Sequence, residues 1–141
     1  MDRPFTRSFT IQGRNFLDAG NVSTEIRSML RELGVDPGLV RRVAIATYEA
    51  EMNVVMYAEQ ANLTIELTPR AITILVEDRG PGIPDIALAM REGYSTATPE
   101  MREMGFGAGM GLPNIKKNAD LFTVTSAVGK GTTLAITVTF N

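Results

Sequence analysis

Four glycines spaced two apart, Gly105, Gly107, Gly109 and Gly111, run straight into Leu112-Pro113-Asn114-Ile115-Lys116-Lys117, a stretch with the apolar spacing of a helix. Glycine has no Cβ, so it adopts positive φ and lets another group come close to its backbone. Repeated ahead of a helix, it exposes successive N–H groups around the helix N-terminus, a setting that favours phosphate. A flexible connector would have a similar composition. A connector, however, does not require the helical pattern to resume at once at Leu112 and Ile115.

The chemistry such a loop could serve is narrowed by what the chain lacks. Its 141 residues contain neither cysteine nor histidine. That excludes disulfides, a thiolate nucleophile, the usual structural zinc sites and a histidine general base. Carboxylates, amides, hydroxyls, lysines or a bound cofactor must do the work. A net charge of −2 gives no electrostatic basis for broad binding to nucleic acid or to anionic membranes. No apolar run is long enough to span a bilayer, and Met1-Asp2-Arg3-Pro4 does not read as a signal peptide. The expectation is therefore a cytoplasmic protein. At 44% hydrophobic residues and this length, one domain over residues 1–141 is expected.

The pattern along the chain predicts a strand over Phe5 to Ile11, with Arg7 in one inward slot, at a sheet edge. Leu17, Val22, Ile26, Met29, Leu30 and Leu33 predict a helix from about Asn15 to Leu33, stopped by Gly34 and weakened early by Gly20. Asp36-Pro37 supplies an N-cap and a first-turn proline for a long helix through Tyr57 or Ala58. Leu63–Leu67 and Ala71–Glu77 read as a hairpin, as do Leu121–Ala127 and Thr132–Phe140. Between them lie about forty residues, with a short helix expected near Asp85 to Arg91; a connection this long within a domain is usually functional. Hairpins with helices on one face predict an α+β two-layer sandwich.

Three segments carry candidate chemistry. On the long helix, Glu49 and Asn53 stand four residues apart and share a face, with Tyr57 a turn further on and Glu51 turned roughly the other way. An amide oxygen can ligate Mg²⁺ and a carboxylate can accept a proton; alternatively, both are solvated polar residues. The helix is apolar almost all round, so two polar groups on one face call for a polar pocket. After the third strand comes Asp78-Arg79-Gly80-Pro81-Gly82-Ile83, where Asp78 could accept from an exocyclic amine or simply make a turn. The glycine series is the third segment.

Glu49-xxx-Asn53, Asp78-Arg79-Gly80-Pro81-Gly82-Ile83 and Gly105-x-Gly107-x-Gly109-x-Gly111-Leu112 resemble the N, G1 and G2 boxes of the Bergerat-fold (GHKL) ATPases, which include gyrase B, the Hsp90 chaperones, histidine kinases and MutL. The resemblance covers essentially the whole chain. It is closer to the anti-sigma-factor serine/threonine kinases, and within them to the stress-pathway switch kinases. That likeness rests on Glu77 to Ile86, Glu92-Gly93-Tyr94-Ser95-Thr96, Tyr57-Ala58 and Gly111-Leu112-Pro113.

The resemblance implies a Bergerat ATP-binding fold with a mostly antiparallel sheet. It implies ATP or ADP as ligand, Asp78 on the adenine amino group, Gly82 closing that end of the pocket, Asn53 holding Mg²⁺ and Glu49 as general base. The implied nucleotide-binding set is Asn53, Asp78, Gly80, Gly82, Ile83, Gly105, Gly107, Gly109, Met110, Gly111, Leu112 and Lys116, with a lid over about residues 85–109. The stretch Ala97 to Met104 makes this lid longer than in the stress switch kinases. The implied partner is a STAS-domain anti-anti-sigma-like protein, with a sigma factor or a phosphatase as further partners. Relatives of this size can dimerise. The implied activity is ATP/Mg²⁺-dependent phosphorylation of serine or threonine; a nucleotide-responsive binding module and an ATPase with little kinase activity are the alternatives.

Overall fold

The computed structural model describes residues 4–91 and 111–140. In chain order these form β1 (Phe5–Gln12), α1 (Asn21–Glu32), α2 (Pro37–Tyr57), β2 (Gln60–Leu67), β3 (Ala71–Arg79), α3 (Ile86–Ala89), α4 (Gly111–Asn118), β4 (Leu121–Ala127) and β5 (Gly131–Thr139). The strands make one sheet in the order β1-β2-β3-β5-β4, with every neighbouring pair antiparallel. The two expected hairpins are present, and β1 lies at an edge as the sequence predicts.

Strand alternation decides which face is covered. Leu63 and Ile65 on β2, Ile72, Ile74 and Val76 on β3, and Leu134, Ile136 and Val138 on β5 are all buried on one side. The helices lie on that side, giving the two-layer α+β sandwich. Val40, Val43, Ala46, Ala50, Val54 and Val55 of α2 join Ile26 and Leu30 of α1 and Leu112 and Ile115 of α4 in the same core. Arg7 occupies an inward slot of β1 without being buried. Its guanidinium lies 4.8 Å from the Phe9 ring centroid and pairs with Glu25 of α1.

Asp36 and Pro37 start α2 as expected: the Asp36 carboxylate accepts from the N–H groups of Gly38 at 3.0 Å and Leu39 at 3.3 Å. α1 differs from expectation. It begins at Asn21 rather than near Asn15, and Leu17, counted among its apolar positions, is 97% exposed ahead of it. Asn15 and Asp18 form a side-chain bridged turn (2.8 Å), and Gly20 enters the helix with φ of 97° and no side-chain cap of its own. The residues before Asn21 are thus spent on a turn. Asp85 caps α3 through Leu88 N–H at 3.0 Å, within the region predicted to hold a short helix. No helix among the described residues is long and apolar enough to cross a membrane.

Candidate active site

α2 provides the backbone of the site because its sides face different neighbours. Toward α1 it presents Glu51, which the sequence sets aside as pointing away from Glu49 and Asn53. Glu51 is 2% exposed, and its carboxylate accepts from the backbone N–H groups of Gly20 (3.0 Å), Val22 (3.2 Å) and Ser23 (2.9 Å). These belong to the opening of α1, so a residue of α2 supplies the cap that α1 lacks. Three charge-assisted hydrogen bonds and the favourable end of the helix dipole compensate the burial of the carboxylate.

Toward α4, α2 presents Glu49 and Asn53. The two helices meet antiparallel along a polar seam. Gly111, the first residue of α4, lies against Asn53: a Cβ placed there would stand 3.1 Å from Asn53 Oδ1. One turn on, Asn114 Nδ2 donates to Glu49 Oε2 at 2.6 Å. At the far end, Arg42 Nε donates to the Asn118 carbonyl at 3.1 Å and pairs with Asp120 at 3.2 Å. The i,i+4 spacing on α2 and the i,i+3 spacing on α4 bring Asn53 to Gly111 and Glu49 to Asn114. Leu112, Pro113 and Ile115 are buried and fix the rotation of α4.

Asp78 lies beyond the C-terminal end of α2. Its Oδ1 accepts from Thr132 N–H at 2.9 Å, and among the described residues Oδ2 takes no hydrogen bond. Burial pushes its carboxyl pKa above the ordinary value, with the Thr132 N–H acting in the opposite direction. The turn after β3 is stitched to the β4–β5 hairpin: Gly129 N–H donates to the Pro81 carbonyl at 2.8 Å and Ile83 N–H to Ser126 Oγ at 2.7 Å. Gly82 has φ of 77°, and a Cβ on it would fall 2.5 Å from the Ala127 carbonyl oxygen. Gly80 packs on Ala58, the C-cap of α2, with a would-be Cβ 3.1 Å from its Cα.

The structure thus brings Asp78 and Gly80 to the end of α2, and Gly111 and Asn53 together a little way back along it. Gly82 and Ile83 belong to the Asp78 end, where Ile83 packs on the core. Leu112 is a core residue. Lys116 lies exposed in the last turn of α4, at the opposite end of that helix from Gly111, where its charge complements the dipole. Tyr57 packs against Met52 and Met56. Gly105, Gly107, Gly109 and Met110, with the lid beyond Arg91, lie outside the described residues.

Sequence reasoning missed Asn114, Glu51 and Thr132. Asn114 carried a legible signal, since it stands three residues after Gly111 on one helical face. The other two act through partners distant in the chain and carried none.

Residues 18–138 match the model of the histidine kinase-like ATPase domain. The chain is 34% identical over 110 residues to the serine/threonine-protein kinase RsbT of Bacillus subtilis (strain 168), covering 75% of this chain and 77% of that protein. It is 33% identical over 111 residues to the anti-sigma F factor of Caldanaerobacter subterraneus subsp. tengcongensis, covering 73% of each. Glycines ahead of a helix, an amide beside the first of its residues and a carboxylate acceptor at the strand end fit this assignment, and it implies ATP binding. The chain belongs to the histidine kinase-like ATPase family, on its branch of anti-sigma-factor serine/threonine kinases.

Proposed function

We propose that this chain is an ATP- and Mg²⁺-dependent protein serine/threonine kinase whose acceptor is a STAS-domain protein, acting in a bacterial partner switch. The observation that carries the reading is the order of polar groups along α2. Gly80, two residues after Asp78, touches Ala58 at the helix end; Asn53 lies five residues back, about 7.5 Å along the axis, and Glu49 about 6 Å further. An acceptor for an exocyclic amine, an amide oxygen and a carboxylate, in that order, follow the length of a purine nucleoside triphosphate from base to terminal phosphate.

Asp78 Oδ2 is free to accept from the adenine amino group, and Gly82 and Ile83 close that end against the β4–β5 hairpin. The crowding of Gly111 against Asn53 leaves the amide oxygen beside the start of α4. Asn53 would hold Mg²⁺ with phosphate oxygens and water completing the shell, as Mg²⁺ prefers. The ion would neutralise phosphate charge in transfer. Gly111, with Gly105, Gly107, Gly109 and Met110, would cradle the phosphates. In the transfer step the serine or threonine oxygen forms a bond to the γ-phosphorus and the bond from that phosphorus to the β–γ bridging oxygen breaks, releasing ADP. The hydroxyl proton passes to Glu49, whose Oε1 takes no hydrogen bond among the described residues.

Incubation of the protein with Mg²⁺, γ-labelled ATP and a purified STAS-domain protein tests this reading. Label on a serine or threonine is expected, and Glu49→Gln should cut transfer about 10²–10⁴-fold while nucleotide binding persists. Tight ADP and ATP binding without transfer would replace the kinase by a nucleotide-responsive binding module. Steady release of phosphate alone would replace it by an ATPase.

A further inference from the structure

Among the described residues Glu49 is held by one partner, Asn114, and that partner has no assigned task. An ionised carboxylate can only accept hydrogen bonds, so the Asn114 amide presents its nitrogen, and the 2.6 Å contact engages Oε2 alone. We infer that Asn114 is the positioning residue for Glu49: by anchoring Oε2 from α4 it leaves Oε1 as the oxygen turned to the acceptor hydroxyl. The inference rests on the reading of Glu49 as the proton acceptor.

Three features set this contact apart from an ordinary bond between helices. The first is that it spares one carboxylate oxygen: among the described residues, Oε1 has no hydrogen-bond partner. A carboxylate on three rotatable bonds otherwise samples many orientations, and a base gains from losing that freedom before the reaction. The second is that Asn114 is itself fixed. Leu112, Pro113 and Ile115 around it are buried, its carbonyl accepts from Asn118 Nδ2 at 2.8 Å, and the far end of α4 is tied to Arg42. The third is its place in the chain. Asn114 stands three residues after Gly111, on the helix that the glycine series leads into, so a displacement of the start of α4 would also move the donor that holds Glu49. Orientation of the base and placement of the first residue of α4 are thereby mechanically joined.

Steady-state transfer to the STAS-domain protein should be measured for Asn114→Ala, Asn114→Asp and Asn114→Gln beside Glu49→Gln, with ADP affinity by calorimetry and thermal melts for each. Asn114→Ala is expected to lower kcat about 10- to 100-fold with KM for ATP and ADP affinity unchanged. Asn114→Asp, almost identical in volume, replaces the donor by a repelling carboxylate and should lower kcat at least as far. Asn114→Gln keeps an amide donor and should restore part of the loss. In the wild-type NMR spectrum the Asn114 side-chain amide should shift on Glu49→Gln. An unchanged kcat in Asn114→Ala, a kcat loss that merely follows a fall in melting temperature, or an amide signal indifferent to Glu49→Gln overturns the inference. If Glu49→Gln itself retains full transfer, the assignment of the base has failed, and the positioning role falls with it.

Discussion

Thr132 donates its backbone N–H to Oδ1 of Asp78 across 2.9 Å, one step past Glu77 and Thr133, the last residues that β3 and β5 pair with each other. The bond turns the carboxylate so that one oxygen is spent on the sheet and the other is not. It depends on Gly131, whose φ of 150° brings β5 so close that a Cβ there would stand 2.1 Å from the Asp78 carbonyl oxygen. A partly buried acidic group is thus retained at the end of a strand, where an asparagine could make the same bond to Thr132.

That comparison gives a pH-dependent prediction. Burial raises the Asp78 pKa in the folded protein, so the ionised form is the one that folding disfavours. Below the unfolded-state value the proton is bound in both states and the penalty is absent; as pH rises through the folded-state value, the penalty becomes complete. Asp78→Asn should therefore raise the melting temperature of ligand-free protein at pH 7 and give no such gain near pH 3. The same substitution should weaken binding of adenine nucleotides. Melts at the two pH values and calorimetry with ADP check both signs. A substitution that stabilised the fold at neutral pH without loss of affinity would remove Asp78 from the site.

Glu51 makes the opposite case, a buried carboxylate whose value lies in the fold. Glu51→Ala would strand three N–H donors at the opening of α1. The Ser23 N–H would be left buried and those of Gly20 and Val22 part-buried. At roughly 1–3 kcal/mol for an unsatisfied buried group, a loss of about 2–4 kcal/mol is expected, or a fall in melting temperature of about 10 °C. Glu51→Gln keeps one accepting oxygen and should fall between. Because Glu51 faces α1 and not α4, ADP affinity should persist wherever the variant is folded. Loss of affinity at a temperature where circular dichroism shows native structure would contradict this division of α2 into two faces.

Gly82 and Gly129 separate backbone strain from crowding. Their φ angles are nearly equal, 77° and 80°, but a Cβ at Gly82 would lie 2.5 Å from the Ala127 carbonyl oxygen while one at Gly129 meets nothing within 4 Å. Gly129→Ala should cost about 1–2 kcal/mol from conformation alone. Gly82→Ala should cost more and also reduce nucleotide affinity, since the β4–β5 hairpin must retreat from the Asp78 turn. Chemical denaturation of both variants, with ADP binding, provides the comparison; equal costs would show that the hairpin is free to move.

The elements that the sequence displayed were those set by neighbours in the chain. Asp36-Pro37 caps its own helix, strand alternation needs only period two, and Glu49-xxx-Asn53 share a face through helical geometry alone. What stayed hidden depends on partners far along the chain. α1 starts six residues later than its apolar pattern suggested because its cap is Glu51, thirty residues away, and Leu17 is left in the preceding turn. Asn114 is marked in the sequence by its place three residues after Gly111, but its pairing with Glu49 follows only from α4 running antiparallel to α2. Thr132 is read from the register of β5 against β3, which no local pattern specifies.

Gly111→Ala tests the seam at its other end, with stability and binding expected to move in opposite directions. Alanine in place of glycine favours a helix by up to about 1 kcal/mol, so the melting temperature should hold or rise. The new Cβ would stand 3.1 Å from Asn53 Oδ1, closer than ordinary van der Waals contact, and the amide would have to give way by a few tenths of an ångström. If that oxygen holds Mg²⁺, calorimetry should show that the gain in ATP affinity on adding Mg²⁺ shrinks in Gly111→Ala and vanishes in Asn53→Ala, while metal-free ADP binding changes little in Asn53→Ala. A full Mg²⁺ response in both variants would assign the ion to other oxygens and leave Asn53 a structural partner of α4.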